Sequence, residues 1–350
     1  MKLNSKWLSS AVVTLTAAAM LTGCGSGGGE KKAEAPKAQG PSGEIMIYTS
    51  MYPDIIDKVC KPSVEKTFPK MKVNWFQGGT EKLKTKVAGE IKANKIATDV
   101  LMVADPGYYL NLQQKGLLLN YVSPNMKDVL LDKDKDGAWS AVRICNMIIA
   151  SNESKIAKED IPTTWSDLLN PKYQGKIAMP NPMLSGTAFV AAGALADKFG
   201  WEYFDKLKAN GLKVEEGNSA IQNKLLTGEY MAAIILEENI LKIQETKKEP
   251  LKVVYPKEGC ILISSPICIM KSTKNPEGAK AAVDWWLSKE GQQAVTKGWM
   301  HSVRPDVAPP NGAPKLETLL PTAIKVDWNK MATKEAEIKN EFRTRVMDKK

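Results

Sequence analysis

The sequence predicts an α/β protein with two domains, and three observations support this fold class. A strand–loop–helix pattern repeats three times between Glu44 and Tyr109, which is typical of a mainly parallel sheet with helices on its faces. Apolar runs at residues 145–150 and 260–270 have the composition of strands that are buried on both faces. About 300 residues follow the N-terminal segment, and a chain of that length usually divides into two domains.

The first 24 residues have the composition of a targeting segment. Two lysines precede an apolar run from Trp7 to Leu21, which is too short to span a membrane comfortably. The run ends in a Leu-Thr-Gly-Cys motif that looks like a bacterial lipoprotein signal, which implies cleavage before Cys24 and lipidation of that cysteine. An ordinary secretory signal is the alternative. We therefore expect a signal peptide at residues 1–23 and a flexible tether at 24–43, because Gly, Lys, Glu, Ala and Pro dominate there.

Polar loops follow the first three predicted strands, which cover residues 44–48, 72–76 and 99–103. These loops contain Ser50 and Tyr52, Gly79 and Thr80, and Asp105. In open α/β sheets, ligands bind outside the carboxyl ends of the strands, so these residues are candidate ligand contacts. Turn chemistry alone also accounts for the Gly-Gly-Thr sequence of the second loop.

A second candidate site lies between a strand at residues 175–179 and a helix at 188–195. Ser185, Gly186 and Thr187 stand where this helix begins. Free N–H groups and the positive end of the helix dipole make such a start a natural anion site. The alternative is that Ser185 merely caps the helix.

Two carboxylates, Glu237 and Glu238, follow a buried strand at residues 231–236 and open a helix. They could bind an amine, sugar hydroxyls or a cation. The alternative is a helix start that favours negative charge.

The remaining composition excludes several functions. The chain carries a formal net charge of +10, but no stretch outside the tether has the clustered basic residues of a nucleic-acid-binding arm. A basic surface can still steer an anionic ligand towards the protein. Cys60, Cys145, Cys260 and Cys268 lack zinc-type spacing, and whether any pair forms a disulfide stays open. His301 is the sole histidine, so a Ser185-based hydrolase has no base nearby in sequence. The acidic stretch at residues 132–137 resembles a calcium loop but lacks the twelfth-position carboxylate, because Arg143 stands there.

With these residues in view, the chain resembles the substrate-binding lipoproteins of ABC importers, in the branch that binds ferric iron, sugar phosphates or phosphonates. The resemblance covers residues 44–325 and is most specific at 256–266 and 271–280, continuing at 285–292 and 303–307. It implies a type 2 periplasmic-binding-protein fold, with two lobes joined by crossing strands near Ile144–Met147 and Ile261–Ser265. Lobe 1 would comprise residues 44–143 and 266–322, and lobe 2 residues 144–265 and 323–350.

The resemblance also implies the function: capture of a solute between the lobes for delivery to an ABC permease and ATPase, without catalysis or cofactor. We expect a small anionic solute, and a monomer anchored to the membrane at the cell envelope. Ferric iron is the alternative ligand. Ferric members use a histidine in the first loop, an acid after the third strand and a later tyrosine pair; here Tyr52, Asp105 and Glu238 stand in those places, with Asn239 beside Glu238.

Overall fold

The computed structural model describes residues 40–348. The predicted signal peptide, Cys24 and most of the tether lie outside the described residues. Ten strands are present in them: β1 Gly43–Thr49, β2 Met71–Gln77, β3 Val100–Met102, β4 Leu118–Leu119, β5 Ser140–Asn152, β6 Ile177–Pro180, β7 Lys213–Glu215, β8 Ala232–Leu236, β9 Leu251–Val254 and β10 Ile261–Met270.

The described α-helices are α1 Pro53–Ile55, α2 Lys61–Thr67, α3 Thr80–Lys92, α4 Pro106–Gln114, α5 Gly186–Phe199, α6 Glu202–Ala209, α7 Asn218–Thr227, α8 Glu237–Lys247, α9 Pro276–Leu287, α10 Lys289–Lys297, α11 Leu316–Leu319 and α12 Trp328–Phe342. π-Helical turns at Ile56–Cys60 and Arg343–Met347 join or extend them. Short 3₁₀ segments lie at Pro124–Asp128, Lys158–Asp160, Ser166–Leu169 and Pro171–Tyr173.

The strands form one sheet in the order β2-β1-β3-β10-β5-β8-β6-β7, with β4 on β10 and β9 on β5. Parallel pairing joins β1 to both β2 and β3, and β6 to both β7 and β8. The long strands β5 and β10 pair antiparallel with each other, from Ile261 opposite Met147 onward, and connect the two parallel groups. They are the crossing strands, and the two-lobed α/β prediction is confirmed. The lobe boundaries stay a prediction.

Apolar side chains pack on both faces of this sheet. One cluster covers a face along its whole length, from Ile45 to Ile235. The opposite face carries two separate clusters, one around Leu83 and Tyr109 in the first group of strands and one around Phe189 and Phe204 in the second.

The C-terminal helix departs from expectation. Residues 325–350 are predicted to form a helix at the surface, and α12 is indeed helical. However, Met331, Ile338 and Phe342 are buried in the second cluster, so α12 completes the core of lobe 2. Gly193 of α5 faces it so closely that an added Cβ would lie 2.5 Å from the Met331 side chain.

Two further findings concern the cysteines and the question of a membrane-spanning helix. The four described cysteines are buried and unpaired, so no disulfide forms within the described residues. No helix among residues 40–348 is long and apolar enough to cross a membrane.

Candidate ligand-binding site

A cavity of about 340 Å³ lies in the cleft between the two lobes. Its walls come from loops that follow β1, β2 and β3 in lobe 1, from β5 in the hinge, and from loops that follow β6, β7 and β8 in lobe 2. The carboxyl ends of both parallel groups therefore face one space, as the general rule for open α/β sheets requires.

The starts of three helices line this cavity: α3 at Gly79 and Thr80, α5 at Ser185 and Thr187, and α7 at Gly217–Ala220. The first N–H groups of a helix have no acceptor within the helix. Ser185 caps α5, since its Oγ accepts from the Ala188 N–H at 3.3 Å. Gly79 and Gly217 carry no side chain that could cap α3 or α7, so their first-turn N–H groups remain available to an anion.

The two lobes approach closely at the mouth of the cavity. An added Cβ on Gly186 would lie 2.5 Å from Thr80 Cγ2 and 2.9 Å from the Ala104 carbonyl oxygen. An added Cβ on Gly79 would lie 3.3 Å from the Leu184 carbonyl oxygen. Small residues at these two helix starts therefore allow one lobe to meet the other over the cavity.

Arg143 brings a positive charge to the cavity wall. It lies on the crossing strand β5 and is 3% exposed. Its Nη2 donates to the Ser50 hydroxyl at 3.2 Å, and its Nη1 contacts Met300 Sδ at 2.9 Å, while Nε has no hydrogen-bond partner among the described residues. A buried guanidinium with an unused donor is a strong anion ligand, because it can offer two parallel N–H groups.

Glu238 brings a carboxyl group to the same cavity. It is 4% exposed, its Oε1 has no hydrogen-bond partner among the described residues, and Arg143 Nη1 stands 3.9 Å away. Burial raises the pKa of Glu238 to about 7, an effect that Arg143 only partly offsets. Nearby, the Tyr52 hydroxyl donates to Asn239 Oδ1 at 2.9 Å and so joins the two lobes. Glu238 is thus a free acceptor, or a donor when protonated, facing the cavity.

Most of the candidate residues from the sequence meet in this cavity: Ser50, Tyr52, Gly79, Thr80, Ser185, Thr187 and Glu238. Gly186 lies just behind, against Thr80. Sequence reasoning missed Arg143 and the start of α7. The signal for α7 was present, because Gly217-Asn218-Ser219 follows a strand and opens a helix in the same way as the other two loops.

Asp105 and Glu237, which the sequence predicts for the site, do not line this cavity, and their contact with a ligand stays a prediction. Asp105 caps α4 and accepts from Lys84 Nζ at 2.7 Å. Glu237 accepts from Asn146 at 3.1 Å and from the Tyr255 hydroxyl, and its Oε2 lies 2.8 Å from His301 Nε2. Both carboxylates are already satisfied by protein donors, so the alternative metal set of Tyr52, Asp105 and Glu238 is not assembled here.

The comparisons agree with this architecture. Residues 96–333 match the sequence profile of a family described as bacterial extracellular solute-binding protein. The chain is 25% identical over 253 residues to the probable ABC transporter periplasmic-binding protein y4fP of Sinorhizobium fredii. The aligned region covers 69% of this chain and 70% of that protein.

Two solved structures show the same fold. The periplasmic binding protein AfuA from Actinobacillus pleuropneumoniae, with exogenous fructose-6-phosphate bound, is 25% identical, with a TM-score of 0.77 over 87% of this chain and 98% of that one. Iron-bound HitA from Pseudomonas aeruginosa is 20% identical, with a TM-score of 0.74 over 86% of this chain and 99% of that one. The profile spans more than half of the chain, so this protein belongs to the bacterial extracellular solute-binding family and is the solute-binding component of an ABC importer.

Proposed function

We propose that this protein captures a small anionic organic solute, such as a phosphorylated sugar or a phosphonate, between its two lobes. The observation that supports the proposal most strongly is the meeting of three helix starts, two of them without a side-chain cap, with the Arg143 guanidinium in one cavity. Each helix start stabilises a negative charge by about 0.3–1 kcal/mol, and more where the geometry is partly buried.

Two kinds of group in the cavity, N–H donors and a carboxyl group, suggest two parts of the ligand. The acidic group binds to the N–H groups of α3, α5 and α7 and to Arg143. The rest of the solute presents a hydroxyl or amine to Glu238, whose Oε1 has no hydrogen-bond partner among the described residues. Closure of the lobes then traps the solute, and the permease recognises the closed form.

One solved structure with the same fold supports this class of ligand. AfuA, which shares the fold and 25% of its residues over most of its length, binds fructose-6-phosphate. The net charge of +10 also favours the approach of an anion to the protein.

Ferric iron is the second candidate, because HitA shares the fold and binds iron. Tyr52 and Glu238 are oxygen ligands in the cavity, but Tyr52 donates to Asn239 and Arg143 repels a trivalent cation. Adding ferric citrate to the purified protein tests this candidate. An intense visible charge-transfer band would favour iron, and an unchanged spectrum together with metal-free purified protein would dismiss it.

The proposal also covers the setting of the protein. The lipoprotein-like motif at Cys24 supports a lipid anchor, and a monomer that docks on a permease and its ATPase fits the importer role. We propose no catalytic step, because the sole histidine, His301, is buried against Glu237 rather than beside Ser185.

A matched pair of ligands tests the function directly. We expect fructose 6-phosphate or another phosphate ester or phosphonate to raise the melting temperature of the full chain, while the corresponding neutral sugar leaves it unchanged. A ligand present at about 100 times its dissociation constant should add about 2.7 kcal/mol of stability. A screen of phosphate esters, phosphonates and carboxylates without any response would contradict the proposal, as would an equal response to the neutral sugars.

A further inference from the structure

A buried ionic cluster lies directly behind the ligand cavity, on the first turns of α3. The Lys84 ammonium is one turn along this helix from Thr80, and the side chain is 8% exposed. Its Nζ lies 2.7 Å from Asp105 Oδ2, 2.7 Å from Glu335 Oε1 and 3.2 Å from Glu81 Oε1. Asp105 and Glu81 belong to the same lobe as Lys84, whereas Glu335 comes from the C-terminal helix α12.

α12 is fixed to lobe 2 by its apolar stripe and touches lobe 1 with another face. Met331, Ile338 and Phe342 are buried in the lobe 2 core. On the other face, the Ala332 carbonyl oxygen accepts from Asn111 Nδ2 at 3.2 Å, and an added Cβ on Gly107 of α4 would lie 2.9 Å from the Ala332 nitrogen. The helix therefore contacts both lobes.

A second lysine completes the cluster. Lys339 Nζ lies 2.5 Å from Glu81 Oε2 and 2.6 Å from Glu335 Oε1, so it also joins the two lobes. Its ammonium is 5.1 Å from the centre of the Phe189 ring on α5, and that of Lys84 is 5.6 Å from the same ring.

Lysine, rather than a metal ion, occupies the centre of this acidic group. Burial alone would lower the pKa of Lys84, yet the charges of Asp105, Glu81 and Glu335 outweigh burial and raise it. Lys84 is therefore charged throughout the physiological range, and the three carboxylates offer no open cation site.

We propose that Lys84 and Lys339, together with Glu335, form an interlobe latch by which α12 stabilises the closed form and prolongs the retention of bound solute. The inference rests on the proposed function, because retention presupposes a solute trapped between the lobes. Separation of the lobes must break the Lys84–Glu335 and Lys339–Glu81 pairs, since the core of lobe 2 holds α12 in place. Because Lys84 and Thr80 share the first two turns of α3, the latch also fixes the helix start that faces the ligand.

The variant Glu335→Gln tests the latch, because it removes one charge and keeps the shape of the side chain. Small-angle X-ray scattering of the ligand-free full chain should give a larger radius of gyration for this variant than for the wild type. Release of a fructose 6-phosphate probe, measured by stopped flow, should become about tenfold faster with an unchanged association rate, within the usual range of coupling between sites. A merely structural role would lower stability without this division between the two rates.

Glu337→Gln is the matched control, because Glu337 is exposed on the same helix and, among residues 40–348, forms an ion pair with Lys334 alone. It should leave both the radius of gyration and the release rate unchanged. Lys339→Met, at the edge of the cluster, should change both in the same direction as Glu335→Gln and provides a second variant if the first folds poorly.

The latch and the proposed function can fail separately. If the wild type and Glu335→Gln have the same radius of gyration, the latch is wrong even when phosphate esters bind. If the variant is more open but no phosphate ester, phosphonate or carboxylate stabilises the wild type, the latch stands and the proposed ligand class fails.

Discussion

Replacement of Glu238 with glutamine should remove a pH-dependent destabilisation that the cavity imposes on the ligand-free protein. Glu238 is 4% exposed and its Oε1 has no hydrogen-bond partner among the described residues. Burial raises its pKa from 4.5 to about 7, with Arg143 opposing the change. The carboxyl group thus prefers its neutral form in the folded protein and its ionised form in the unfolded chain.

The magnitude and its sign follow from this difference. A group whose pKa is raised on folding contributes its stability fully below its ordinary pKa and loses it as the pH rises through the folded value. The rise from 4.5 to about 7 therefore lowers the free energy of unfolding by about 3 kcal/mol between pH 4 and pH 8. Glutamine has the same shape and does not titrate, so the variant should lack this loss.

Urea denaturation of the full chain at pH 5 and pH 8 measures the effect. The variant should gain about 2–3 kcal/mol relative to the wild type on going from the lower to the higher pH. Glu249→Gln, which changes an exposed carboxyl group, should show no such trend. A difference between wild type and Glu238→Gln that does not vary with pH would mean that Arg143 already neutralises Glu238. In that case the cavity would hold no free carboxyl group for a ligand.

Three other changes test the site and the latch. Arg143→Leu should weaken binding of a phosphate ester by about tenfold or more in calorimetry, because a hydrogen bond to a charged group is worth about 1.5–3 kcal/mol. An unchanged affinity would show that Arg143 does not contact the ligand. Gly186→Ala should weaken binding of the same ester, because the added Cβ would lie 2.5 Å from Thr80 Cγ2. The control Gly89→Ala adds a Cβ in open space and should leave the affinity unchanged. Equal affinities of the two variants would contradict the close contact of the lobes. Burial alone would raise the pKa of Glu335, but Lys84 and Lys339 lower this pKa below its ordinary value of 4.5. The ionised Glu335 should therefore stabilise the folded protein above pH 4.5, and this stabilisation is lost as the pH falls through the lowered pKa. Scattering at decreasing pH below 4.5 should therefore show the wild type opening as Glu335 is protonated, with little further change in Glu335→Gln. A wild type that stays closed until it unfolds would argue against the latch.

The elements near the cavity were predictable because their signals are local. Apolar runs mark the strands, and Gly, Ser and Thr mark the helix starts at Thr80 and Thr187, so these residues could be placed at the ends of parallel strands. Arg143 carried a signal that was not used for the site: it is a single charge in the buried 13-residue strand β5. A buried charge needs a group of opposite charge or hydrogen-bond acceptors beside it, and the cavity gives a ligand anion room to bind next to Arg143.

Other contacts depend on tertiary packing that the local pattern does not contain. Glu237 and Glu238 are neighbours on a helix and point about 100° apart, so the sequence does not reveal which one faces the ligand. Asp105 fits the acidic position implied by the resemblance, but Lys84 of the preceding helix, α3, pairs with it. Glu335 joins that pair from about 250 residues further along the chain, a separation at which sequence patterns carry no information on contact.

In the proposed complex, amide hydrogens at helix starts from both lobes hold the acidic group of the solute. Nuclear magnetic resonance of the ¹⁵N-labelled full chain tests it most directly, in a titration with the phosphate ester that gives the largest melting shift. We expect large, saturable shifts of the amide signals of Thr80, Thr187 and Ser219 at the same ligand concentration. Shifts confined to surface lysines, or to the helix starts of one lobe only, would contradict it.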